Sequence, residues 1–220
     1  MPTLLLRIVA PMQSWGSRSR FDDRDTEREP TKSGVIGLIA AALGRPRDAD
    51  VSDLAALRFG VRVDRAGSLH TDYHTAREGA STAVTRRHYL ADAAFLVGLE
   101  GDAALLERIE AALRNPVWPP FLGRKSFVPA RPLFLEDGGL REAPLEAALR
   151  AQAPVHSRPD NMTRYALELL PGERPAAGHA VSVRNDQPAG TFAQRRYAAR
   201  QVAVWSEPRP QPPATAQEER

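Results

Sequence analysis

Three groupings of residues in this chain have the types and spacing to do chemistry. Pro30-Thr31-Lys32-Ser33 sets a lysine and a hydroxyl at a helix start, as phosphate-binding loops do. A Walker loop also needs glycines upstream, so that backbone N–H groups can wrap the phosphates. None lies between Gly16 and Gly34, which excludes nucleotide hydrolysis. The helix N-terminus beside Lys32 and Ser33 still offers free N–H groups and a favourable dipole to an anion such as an RNA phosphate; the alternative is an ordinary exposed helix start. His70-Thr71-Asp72-Tyr73-His74 spaces two histidines by four residues, but a zinc hydrolase wants HExxH on a helix and this stretch is turn-rich, so no metal is expected. Tyr73, His74 and Lys32 can be combined into an acid/base set for metal-independent RNA cleavage. In that set His removes the 2′-OH proton and Lys steadies the phosphorane charge, although nothing in the spacing demands it. There is no G-x-S-x-G elbow. The absence of cysteine excludes disulfides, thiol catalysis and cysteine-based zinc sites, and no cofactor is expected.

The formal charge of the 220 residues is only +3, which by itself does not mark a nucleic-acid binder. Distribution says more. Basic residues without acidic neighbours cluster at Arg86-Arg87-His88, at Arg124-Lys125, and at Arg195-Arg196 with Arg200. Each cluster reads either as solvated surface or as a set of phosphate contacts. Gly123-Arg124-Lys125-Ser126-Phe127-Val128 follows the aromatic pattern of a stacking RNA-recognition sheet only loosely, so base stacking on a sheet face is not expected. A strand would instead be held by phosphate contacts from loops.

The elements that must position these residues follow from periodicity. Residues 3–10 read as a buried strand bounded by Pro11, and 11–30 as a long charged loop. Thr31 caps a helix through Ala42, with Gly44 past its end and Val35, Ile36, Ile39 and Leu43 on the helical period. Gly34 and Gly37 on its first turns let another backbone come close. Residues 58–65 alternate as a half-buried strand and 93–100 as another. Asp102 caps a second helix that ends at Asn115-Pro116, and a further strand is expected at 127–135. The order strand, helix, strand, strand, helix, strand is that of an α+β, ferredoxin-like βαββαβ body, as in RRM-type RNA binders. Residues 66–92 join the middle strands over a length far beyond the usual 2–5 residues of a hairpin loop, and are expected to form a protruding hairpin. Beyond residue 136 come a short helix near 145–151 and strands near 164–170, 180–184 and 196–205. The domains expected are a body at 1–135, a β-rich extension at 136–206 and a proline-rich disordered tail at 207–220. No stretch approaches the length of a signal sequence or membrane span, and a cytoplasmic location is expected.

Five blocks in register resemble one family. They are Met12-Gln13-Ser14-Trp15-Gly16 with Pro30-Thr31-Lys32-Ser33-Gly34; Asp72-Tyr73-His74-Thr75; Tyr89-Leu90-Ala91-Asp92-Ala93; Phe121-Leu122-Gly123-Arg124-Lys125-Ser126; and, more faintly, Gln194-Arg195-Arg196-Tyr197. Together they resemble the CasD subunits of type I-E CRISPR Cascade, within the RAMP superfamily. The resemblance implies a non-catalytic subunit that holds the 5′ handle of the guide RNA, caps the backbone filament of CasC and contacts the large subunit CasA. It meets target DNA only through the complex. It also implies that residues 66–92 are a thumb pressing on the RNA. RNA-binding residues are then expected at Gln13, Ser14, Trp15, Arg18, Arg20, Lys32, Ser33, Tyr73, His74, Arg86, Arg87, Arg124, Lys125 and Ser126. Trp15 reads equally as a stacking platform or as a core anchor for the long loop. In a sister subtype the corresponding subunit is the guide-processing nuclease, for which Tyr73, His74 and Lys32 are the alternative catalytic set.

Overall fold

Thr3–Val9 forms strand β1, and its alternation sets the layers of the molecule: Leu4, Leu6 and Ile8 turn to one face and Leu5 to the other, none more than 1% exposed. The structure is a computed structural model and describes residues 1–17, 23–79 and 81–209. After β1 come the short strands β2 (Met12–Gln13) and β3 (Asp23–Arg24), then helices α1 (Lys32–Ala42) and α2 (Ser52–Ala55). Next are β4 (Arg58–Arg65), the long strands β5 (Ser68–Glu78) and β6 (Ser81–Ala91), β7 (Ala94–Glu100) and α3 (Ala103–Arg114). The chain ends with β8 (Leu140–Arg141), α4 (Leu145–Ala151), β9 (Met162–Glu168), β10 (Ala180–Pro188) and β11 (Tyr197–Pro208).

Seven strands make one antiparallel sheet in the order β10-β11-β9-β4-β7-β1-β8. Helices α1, α2 and α3 pack on one face of it around Phe59, Phe95, Val97 and Leu106, and α4 packs on the other around Leu145 and Leu149. The fold is thus α+β and rich in antiparallel β-structure. Both long helices begin at the expected caps. The Thr31 hydroxyl accepts from the Gly34 N–H and the Asp102 carboxylate from the Leu105 N–H, each satisfying one orphan donor. Leu43 closes α1, and Gly44 follows in the left-handed region at φ +71°, where its lack of a Cβ removes the steric cost.

The connection between β4 and β7 is a β-hairpin whose strands β5 and β6 pair from Ser68↔Ala91 to Glu78↔Ser81. β2 and β3 flank β6, the latter in parallel register, so the hairpin base is tied to the loop after β1.

Four expectations are corrected. Residues 127–135 are not a strand. Pro129 and Pro132 remove ladder donors there, and the segment keeps only a bridge from Phe134 to Leu6 and single bonds such as Arg7 N–H to Leu133 C=O. β4 is buried on both faces, because Arg62 and Asp64 pair beneath α4 and Arg62 donates to the Leu149, Gln152 and Ala153 carbonyls at that helix's C-terminus. β7, also expected to be half-buried, is likewise buried on both faces, and the last three strands extend the first sheet. β11 also runs to Pro208, into the stretch read as tail; residues 210–220 lie outside the described residues. Among the described residues no helix is long and apolar enough to cross a membrane.

Candidate nucleic-acid interface

The exposed side of α1 forms the floor of a cleft of about 970 Å³. Small residues make that floor: Gly34, Gly37, Ala40 and Ala41 line it, with Ser33 at its N-terminal end. Gly34 is small by necessity, since a methyl group there would lie 2.9 Å from both the Trp15 ring and the Thr31 hydroxyl. The segment 117–121 forms one wall, hydrogen-bonded through the Val117 and Trp118 N–H groups to the Ala42 and Ala41 carbonyls of α1. The turn between β10 and β11 stands on the opposite side, with Phe192 against Gly37.

The charge in the cleft is one-sided. Among the described residues, Arg24, Arg45, Arg47, Arg124 and Arg195 line it with Asp25 as the one carboxylate. Asp53 neutralises Arg45 through two hydrogen bonds of 2.6 Å and raises its pKa further above the ordinary arginine value. No ion pair with a described carboxylate holds the other four. Burial lowers the pKa of Arg124, and repulsion from neighbouring Arg87 and Arg24 adds to this against the opposing pull of Asp72. An added polyanion relieves that repulsion.

The cleft runs on to the base of the hairpin. Arg124 donates to the His88 carbonyl of β6 at 2.7 Å, and its guanidinium lies over the Phe127 ring. Tyr89 packs between Phe127 and His70. Residues directly opposite in the β5–β6 ladder share a face, so His70, Tyr89, Asp72, Arg87 and His74 form the side that continues from Arg124. The other side carries Tyr73, with Arg86 over its ring at 5.9 Å.

Of the residues expected from the sequence, Ser14, Ser33 and Arg124 line the cleft, Arg87 is half-buried beside it, and Lys125 and Ser126 are exposed on the loop that follows. Tyr73, His74 and Arg86 are exposed on the hairpin, His74 being hydrogen-bonded to Asp72. Arg18 and Arg20 lie outside the described residues.

Three expected residues are structural. Gln13 is wholly buried: its amide donates to the Ala93 carbonyl at 2.7 Å and accepts from the Trp15 indole. Trp15 is 1% exposed, a core anchor that touches the cleft only with its edge. Lys32 is also 1% exposed, its ammonium bonded to both Glu168 oxygens at 2.8 and 3.0 Å and to Gln187. Burial lowers the Lys32 pKa, and the Glu168 carboxylate offsets part of that shift. The anion site expected at the start of α1 is filled from within, since Asp186 accepts the Lys32 N–H at 2.8 Å while Arg200 clamps Asp186 from the other side. The alternative catalytic set is therefore not assembled: Lys32 is enclosed by Glu168, and Tyr73 and His74, being adjacent on a strand, project to opposite faces of the hairpin.

Sequence reasoning did not single out Arg24, Arg47 or Trp118, and named Phe121 and Tyr197 only within the family blocks. The signal for the aromatics was Val117-Trp118-Pro119-Pro120-Phe121, an apolar run that its prolines bar from helix and central strand and so leave on the surface.

Comparison with known proteins agrees with this architecture. The chain is 38% identical over 176 residues to the CRISPR system Cascade subunit CasD of Escherichia coli (strain K12), covering 69% of this chain and 77% of that protein. It superposes with a TM-score of 0.78 on a crystal structure of a Cas protein, at 52% identity over 94% of this chain and 95% of the other. A chain of a CRISPR RNA-guided surveillance complex gives 0.76 at 33% identity, over 94% of this chain and 90% of that one. Residues 3–203 match the family described as CRISPR-associated protein (Cas_Cas5), and to that family this chain belongs.

Proposed function

We propose that this protein is a non-catalytic, guide-RNA-binding subunit of a Cascade-type surveillance complex, holding the 5′ handle of the CRISPR RNA. The observation that carries the reading is the arginine-lined cleft over α1, continuous with the side of the β5–β6 hairpin that carries His70, Tyr89 and Arg87. A single-stranded phosphate backbone fits such a groove, because each neutralised phosphate releases counterions and the small residues of α1 allow close approach. The strand arrangement β4-β7-β1, with α1 between β1 and β4 and α3 following β7, supports a ferredoxin-like RAMP body whose hairpin acts as the thumb. The kinship with the CasD subunit supports assembly with the backbone subunit CasC and the large subunit CasA in the cytoplasm, and contact with target DNA only through the complex.

The test is incubation of purified protein with labelled repeat-spacer RNA in EDTA, read on native and denaturing gels from the same tubes. The expected result is a shifted, uncut RNA whose binding requires the repeat-derived handle. Arg124→Ala should also flatten the dependence of log K on log salt by about 0.7. A discrete cut within the repeat, lost in His74→Ala, refutes the non-catalytic reading.

A further inference from the structure

The far end of the cleft is built from the turn that joins β10 to β11. Arg195 sits there at φ +52°, a left-handed conformation that costs a non-glycine residue stability and persists only where the surroundings impose it. The surroundings do impose it. The Arg195 N–H donates to the Phe192 carbonyl, the Ala193 N–H to the Arg47 carbonyl at 2.8 Å, and Thr191 bridges to Asp50. The turn is thus pinned to the segment after α1 and holds Arg195 and Arg47 at the same end of the cleft. Tyr197 follows at the first position of β11 and is 45% exposed. Trp118, also 45% exposed, stands on the wall formed by 117–121, with its backbone fixed to α1. Large aromatics left half in water on the rim of a cationic groove have a specific use: their faces accept nucleobases while the arginines hold the backbone.

We infer that Trp118 and Tyr197 are stacking platforms for two unpaired bases, with Arg195 and Arg47 on the phosphates beside them. The inference rests on the RNA reading of the cleft and narrows it: this end takes single-stranded RNA with its bases unstacked from one another. A duplex is rejected, because its base faces are already covered by neighbouring pairs. The charge of the groove favours this polyanion over a protein segment as the occupant of the aromatic rim.

The experiment is a fluorescence-anisotropy titration of the full chain with the single-stranded 5′ handle, the same handle annealed to its complement, and a series of handles carrying one abasic nucleotide each. Trp118→Ala and Tyr197→Ala should each weaken single-strand binding by about 5- to 100-fold with an unchanged salt slope, whereas Arg195→Ala lowers the slope by about 0.7. Trp118→Phe should recover most of the loss. At one abasic position Trp118→Ala should cost nothing further, which locates the stacked base. Wild-type affinity in both alanine variants overturns the inference and leaves the RNA reading standing. Equal losses for duplex and single strand overturn it as well, as does retained RNA affinity with lost capture by the other subunits, which would make the rim a protein contact. Failure of the wild type to bind any of these RNAs overturns the reading of the cleft itself.

Discussion

Replacing Lys32 separates the two roles open to a lysine at the start of α1. If its ammonium met RNA, Lys32→Met would cost affinity and leave the fold alone. The structure puts it 1% exposed, against a Glu168 side chain 11% exposed, so solvent screens the pair little. Removing the lysine leaves the Glu168 carboxylate buried with one remaining donor, the Phe59 N–H at 3.1 Å. Breaking a buried pair on one side costs about 3–5 kcal/mol, because the surviving charge is uncompensated. For a domain of this size each kcal/mol moves Tm by roughly 2–4 °C, so the variant should melt about 6–20 °C below wild type. The double variant Lys32→Met/Glu168→Gln removes the stranded charge and keeps an acceptor for Phe59, and should recover a large part of the loss. Thermal unfolding followed by circular dichroism reads all three proteins. A Tm within about 2 °C of wild type for Lys32→Met, or a double variant no more stable than the single, refutes the buried-pair account.

Other perturbations test the cleft's scaffold. Trp15→Ala should cost about 3–5 kcal/mol in urea unfolding, as for a fully buried aromatic, while leaving the salt slope of RNA binding unchanged; a changed slope would return Trp15 to the interface. Gly123 adopts φ +90°, and a methyl group there would lie 1.8 Å from the Ser14 carbonyl oxygen, so Gly123→Ala should lose at least about 1–3 kcal/mol and weaken RNA binding through the displaced Arg124 loop. Acid should weaken the joint at Asp186. Burial there works to raise the carboxyl pKa, but the hydrogen bonds and charge of Arg200 outweigh it and hold the value below the ordinary 3.8. The stability this group contributes is complete above that value and lost as pH falls through the lower folded one. Urea unfolding between about pH 6 and pH 3 should therefore lose stability more steeply in wild type than in Asp186→Asn.

Legibility in the sequence followed the range of the interactions. Thr31 and Asp102 announced α1 and α3 because a cap is a contact across three residues, and the length of 66–92 announced a hairpin because no tight turn needs that many. The partners of Lys32 were not legible. Glu168 and Asp186 lie 136 and 154 residues away, and no local pattern reports that β9 and β10 return to the first sheet beside α1. Thr31-Lys32-Ser33 therefore looked like an empty anion site when its anion is carried by the same chain. Pro129 and Pro132 could have been weighed against a strand at 127–135; the apolar residues there pack along β1 without a ladder. Trp118 and Tyr197 meet around α1 from segments nearly 80 residues apart, so only their exposure marks them.

The return of the last three strands also accounts for a proposed RNA site that relies on arginines outside α1 in place of the helix terminus. Once Asp186 occupies the first N–H of α1, the dipole there is already answered, and a phosphate brought to the same spot would meet a carboxylate. In the proposed reading, anion binding passes to side chains that no described carboxylate pairs with, namely Arg24, Arg47, Arg124 and Arg195. The helix, locked by the buried pairs Lys32–Glu168 and Asp186–Arg200, serves as a rigid floor on which those side chains are spaced. Stability and binding should for that reason separate cleanly. Substitutions in the buried pairs should shift unfolding without altering the salt slope, and substitutions of Arg24 or Arg47 should alter the slope without shifting unfolding by more than about 0.5 kcal/mol.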